Sequence, residues 1–183
     1  MSTEYHDVLK FWFEQNKPEQ WFMKSDSFDE AVRTNLGERH EQAVTGALDH
    51  WMESPDGCLA LIILLDQVPR NIFRGSPRSF ASDEKARKIC YHMLEKGFDA
   101  EFEGDRLAFC YIPLEHSESL ADQERSVELF EALRAFQESY YDYAVQHRVI
   151  IERFGRFPHR NAVLGRSSTD EEQAFLKQPG SSF

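Results

Sequence analysis

At 183 residues the chain is long enough for one domain with a substantial core and short for two, and 21 basic against 32 acidic residues give it a net charge of −11. A field of that sign repels nucleic acid and anionic membrane except at a local patch. Cys58, Cys90 and Cys110 lie far apart with no Cys-x-x-Cys, which fits reduced, buried thiols in a cytoplasm better than a disulfide framework or a zinc ribbon.

Residues 3–15 place Tyr5, Val8, Leu9 and Trp12 at helical spacing behind a Ser2/Thr3 cap, with Phe11 and Phe13 widening the apolar face. The first residues carry no basic region followed by an apolar run, so no signal peptide is expected. Lys17-Pro18 ends the helix, and Trp21-Phe22-Met23 makes a compact apolar turn. Ser25 or Asp26 caps a second helix carrying Phe28, Val32 and Leu36; Gly37 and Gly46 weaken its continuation, so 38–52 reads as a separate helix.

After a turn at 54–57 comes the longest uninterrupted apolar run, the eight residues 58–65, too short for a membrane span. It is rich in Leu and Ala and has no other strand candidate to pair with, so it predicts a central helix, apolar almost all round and closed by Pro69. Residues 70–81, with Gly75 and Pro77, should be irregular. Ser82 caps the next helix ahead of Asp83 and Glu84, whose charges suit its first turn, and Gly97 with Phe98 stops it.

A short helix over 105–111 is stopped by Pro113, and a long one over 117–138 carries Leu120, Val127, Phe130, Leu133 and Phe136. Another spans 140–154, with Gly155 as its end. Ser168 to Glu171 and Thr169 to Glu172 both fit the capping box of a last short helix. With no period-two alternation anywhere, the class is all-α, built from antiparallel helix pairs: one compact domain over 1–183, with a flexible tail at 178–183.

Positive charge gathers at two corners. From 144 to 166 there are five arginines (Arg148, Arg153, Arg156, Arg160, Arg166) against Glu152, a local +4; from 64 to 80, Arg70, Arg74 and Arg78 face Asp66, a local +2. The rest of the chain then carries −17. Residues 70–75 and 160–165 share Arg-Asn-x-x-x-Gly, which suggests two helix-to-helix corners of similar construction. Glu115, His116 and Glu118 follow Pro113 and add carboxylates and an imidazole.

Two readings of this constellation stay open. In one, Asp66, Glu115 and Glu118 pair with Arg153, Arg156 and Arg160 and merely tie helix ends together. In the other, the arginines outnumber their acids and leave a cationic pocket for a small phosphate- or carboxylate-bearing ligand, lined by Asp66, Arg70, Asn71, Arg74, Arg153, Arg156, Arg160 and Asn161. His116 beside Glu115, and His159 beside Arg160, are then the candidate catalytic groups, titrating near neutral pH.

No metal is expected, because no His-Glu-x-x-His is present and none of the seven histidines follows a Glu by three residues. A trio of His116, Glu118 and His147 is the one geometric alternative. Phosphate-loop and dinucleotide fingerprints are missing, so no cofactor is expected.

Residues 59–71 (LALIILLDQVPRN), 113–118 (PLEHSE) and 155–166 (GRFPHRNAVLGR), with 8–13 (VLKFWF) and Trp21-Phe22, resemble a bacterial family known only as domain of unknown function 924. The likeness spans nearly the whole chain; Val68 departs from it where the family pattern has an aromatic residue. It implies a tetratricopeptide-like helical fold and supplies no activity, substrate or catalytic residue. The alternative to a ligand pocket is therefore a helical scaffold for a protein or peptide partner, with the arginine cluster purely structural.

Overall fold

The structure is a computed structural model that describes residues 4–182, and every regular element among them is helical. The all-α expectation is met; the Ser2/Thr3 cap lies outside the described residues. The chain forms two compact units, residues 4–74 with 78–113 and residues 75–77 with 114–182.

The first unit contains α1 (Glu4–Phe13), α2 (Pro18–Trp21), α3 (Asp26–Thr45), α4 (Pro55–Ile62), α5 (Val68–Ile72), α6 (Asp83–Lys96) and most of α7 (Gly104–Glu115). α3 runs unbroken through Gly37, against the expectation of two helices. A glycine costs a helix only about 1 kcal/mol, and buried Val32, Leu36, His40 and Ala43 hold this one in place. It stops instead at Gly46, whose φ of 87° closes the last turn.

α4 begins at Pro55, with the Ser54 hydroxyl accepting the Gly57 N–H at 3.2 Å. Gly57 is needed there: a Cβ would sit 2.1 Å from the Trp51 carbonyl oxygen. The helix is buried on every side, as its sequence predicts, packed by α1 and α6.

Pro69 does not close it. A proline has no N–H to give and its ring crowds the carbonyl four residues earlier. The chain answers with a π-helical turn, Ile63–Gln67, in which the Val68 N–H reaches back to the Ile63 carbonyl, and then continues as α5. The Leu64 and Leu65 carbonyls are taken by side chains from α3 and the start of α6: His40 Nδ1 donates to Leu64 at 2.7 Å and Ser82 Oγ to Leu65 at 2.5 Å. Ser82 therefore does not cap α6 with its side chain. α7 likewise runs through Pro113, held by buried Phe109, Cys110 and Ile112.

In the second unit α8 (Leu120–Glu131) and α9 (Glu138–Phe154) pack as a pair, and α10 (Asp170–Phe175) follows. α8 is shorter than the expected 117–138. After Glu131 the chain tightens into i to i+3 bonds, Leu133 to Phe130 and Phe136 to Leu133, which bury Leu133, leave Phe136 exposed and turn α9 back along α8. Ile150, Ile151 and Phe157 form a small core with Phe154 and Phe175 against it. The capping box of α10 is the Thr169 one.

Candidate functional site

In the second unit the segment after α9 folds around Asn161, which is fully buried. Gly155, at φ 68°, ends the helix and lets the chain double back. Asn161 Nδ2 donates to Ser168 Oγ at 3.1 Å, and its Oδ1 accepts from Arg166 Nε at 2.9 Å. Arg166 forks onto Glu118 at 2.7 and 2.9 Å and reaches the Phe157 carbonyl at 3.1 Å. Burial works to raise the Glu118 pKa, but Arg166 and the Phe157 N–H, which donates to it at 2.8 Å, outweigh that and hold it below the usual range.

Arg156 forks onto Glu172 at 2.6 and 2.8 Å. That guanidinium, with the Thr169 N–H, pulls the Glu172 pKa down to about 2 against the effect of burial. Arg153 lies more open, 2.8 Å from Glu171 and over the rings of Phe154 and Phe175. The carboxylates that serve this corner therefore include Glu171 and Glu172, which the sequence marks only as acids opening a capped helix.

His147, on α9, is the centre of the cluster, where the sequence offers it only as a member of an alternative metal trio with His116 and Glu118. It is 4% exposed; its Nδ1 lies 2.8 Å from the Tyr143 carbonyl, to which it donates, and 3.3 Å from Glu115 Oε1. Burial pushes its pKa down to about 3, and His116, Arg160 and His159 add repulsion, so the contact with Glu115 is made by a neutral ring. The His116 ring is 6.1 Å away, and Phe157 meets the imidazole edge-on at 5.5 Å. Phe157 in turn holds His159 at 5.6 Å and the Arg160 guanidinium at 4.5 Å.

Glu115, His116, His159 and Arg160, all named from sequence, thus surround one buried imidazole and one buried aromatic ring. The buried, central place of His147 was not legible because it falls at position i+3 from Ala144 and i−4 from Ile151, on an apolar stripe. Among the described residues no group of three or more His, Cys, Asp or Glu could hold a metal ion.

In the first unit the named residues hold helices together. Arg70 forks onto Asp83 at 2.8 and 2.9 Å and lies 3.4 Å from Asp66. Asn71 donates to Asp29 at 2.8 Å, and Arg74 forks onto the same carboxylate at 2.5 and 2.9 Å. Burial tends to raise the Asp29 pKa; the hydrogen bonds from Arg74 and Asn71 overcome it. One corner thereby fastens α5 to α3 and to α6.

A family profile and a solved structure place the chain among known proteins. The profile of a family described as "Bacterial protein of unknown function (DUF924)" matches residues 8–180. Among solved structures, a protein of unknown function from Agrobacterium tumefaciens superposes with a TM-score of 0.91 at 38% identity, over 96% of this chain and 99% of that one. No curated protein matches.

Proposed function

The chain belongs to this bacterial DUF924 family, and from that premise we propose that it is a cytoplasmic protein that binds a small phosphate- or carboxylate-bearing ligand at the histidine and arginine cluster of its second unit. The observation that carries the reading is the convergence of His116, His159, Arg160 and Glu115 around buried His147 and Phe157. A guanidinium supplies fixed charge for an oxyanion, and imidazoles move protons near neutral pH. In this reading Arg160 positions the ligand, His116 and His159 serve as proton donor and acceptor, and buried Asn161 shapes the turn behind them. Cys58, Cys90 and Cys110 are buried and in no disulfide, which suits a reducing compartment.

A thermal-shift screen against phosphorylated and carboxylated metabolites tests it. A ligand at about 100 times its Kd adds ~2.7 kcal/mol, a rise of several degrees. His116→Gln with His159→Gln, both only partly buried, should remove that rise. The reading is lost if no metabolite shifts the wild type, or if the double variant shifts equally.

One observation favours the second reading, a tetratricopeptide-like scaffold for a protein or peptide. Arg70, Arg74, Arg153, Arg156 and Arg166 each sit on a carboxylate of the chain itself. Capture of a stoichiometric protein partner from extract, without a co-purifying small molecule, would favour it.

A further inference from the structure

The π turn has a second product besides the packing of α5. In the first unit a cavity of about 150 Å³ is lined by His40, Glu41, Val44, Arg78, Ser82 and Lys85, among others. His40 is 3% exposed, and its Nδ1 faces the Leu64 carbonyl. A carbonyl has no hydrogen to give, so Nδ1 must carry one, and Nε2 of the neutral ring carries a lone pair. Nε2 has no hydrogen-bond partner among the described residues, yet the ring lines the cavity. Burial lowers the His40 pKa, Arg78 adds to this, and the Leu64 carbonyl and Glu41 only partly oppose it, so the neutral ring prevails at neutral pH.

The other walls have defined polarity. Lys85 gives one proton to the Ala43 carbonyl at 2.8 Å and another to Asp49 at 2.7 Å, which leaves its third. Arg78 lies over the Phe73 ring at 3.7 Å and meets Glu41 at 2.5 Å; both side chains of that pair are more than half exposed, so it is weakly held. Ser82 spends its hydrogen on Leu65 and offers only lone pairs. The cavity therefore combines two cations, each already facing a carboxylate (Glu41 and Asp49), with acceptors that have no hydrogen to share. A fully deprotonated anion would meet lone pair against lone pair at Nε2. An oxyanion with one acidic hydrogen satisfies both sets.

We propose that this cavity binds a phosphate-class oxyanion that still carries a hydrogen, either inorganic phosphate or the end of a phosphate monoester. Arg78 and Lys85 hold its charge, and its P–OH donates to Nε2 of His40. The site stands on its own residues and does not depend on the histidine cluster of the second unit.

Titration calorimetry with inorganic phosphate, methyl phosphate and sulfate near pH 7, at constant ionic strength, tests it in the full chain. Phosphate should bind at least about tenfold more tightly than sulfate. Methyl phosphate binding as well as phosphate assigns the site to monoesters, and its failure to bind assigns it to the free ion. His40→Asn keeps an N–H for Leu64 but removes Nε2, and should abolish the preference for phosphate; Arg78→Gln should weaken both anions. The same series in the His116→Gln/His159→Gln background keeps this site separate from the second-unit cluster. In the unsubstituted protein, the imidazole ¹⁵N signal of His40 Nε2 should move with phosphate and stay with sulfate. Equal affinity for the two anions, no heat with phosphate at ~10 mM, or an Arg78→Gln variant with unchanged affinity overturns the proposal.

Discussion

Glu172 and His147 both resist taking up a proton, for opposite reasons. Glu172 keeps its charge because Arg156 and the Thr169 N–H stabilise it, and its pKa falls to about 2; His147 avoids charge because it is buried among other basic groups, and its pKa falls to about 3. In the unfolded chain the two groups return to roughly 4.3 and 6.5. On acidification the unfolded chain therefore protonates first at each site, and stability drains toward it. His147 contributes stability that is complete above about pH 6.5 and lost as pH falls toward 3; Glu172 contributes stability that is complete above about pH 4.3 and lost toward 2. Urea midpoints measured from pH 7 to pH 3 should fall steadily. His147→Gln should flatten the upper part of that curve and Glu172→Gln the lower part. Parallel curves for wild type and variants would remove these groups as the cause.

At the scale of elements, the π turn Ile63–Gln67 depends on donors from other helices. Ser82→Ala leaves the Leu65 carbonyl buried without its hydroxyl partner, a cost of about 1–3 kcal/mol. Chemical denaturation should show a lower midpoint with an unchanged slope; a variant as stable as the wild type would mean that the hydroxyl contributes nothing. The sequence announced the helix ends at Thr169, as a cap, and at Gly97 and Gly155, at positive φ, because these residues act locally; it read Ser54 only as part of a turn and Gly46 only as an interruption, where the structure has a cap and a helix end. It misplaced Gly37, Pro69 and Pro113 because each is a local breaker overruled by burial of the residues around it. The charged corners were legible as arginine clusters. Their partners were less so: Asp29 lies 45 residues from Arg74, and Glu172 lies 16 from Arg156 with its role masked by a capping box.

Over the whole molecule, a net charge of −11 coexists with a chain segment of local +4, and much of that positive charge already faces carboxylates of the same unit. Little is left over for a polyanion, whose binding needs many phosphate contacts at once. The protein should pass through a heparin column at about 0.15 M salt and show no duplex affinity by fluorescence polarisation; retention at that salt would show that the basic corner reaches outward. No helix among the described residues is long and apolar enough to cross a membrane.

The π turn also acts as an angular spacer. One residue fewer in that stretch would rotate α5 about 100° around its axis and draw it in by about 1.5 Å. Arg70 would then swing off Asp83, and Asn71 and Arg74 off Asp29, all in one step. The length of the chain between Ile63 and Pro69 thus sets the aim of a whole corner, so an indel there is a far larger change than any single substitution within it.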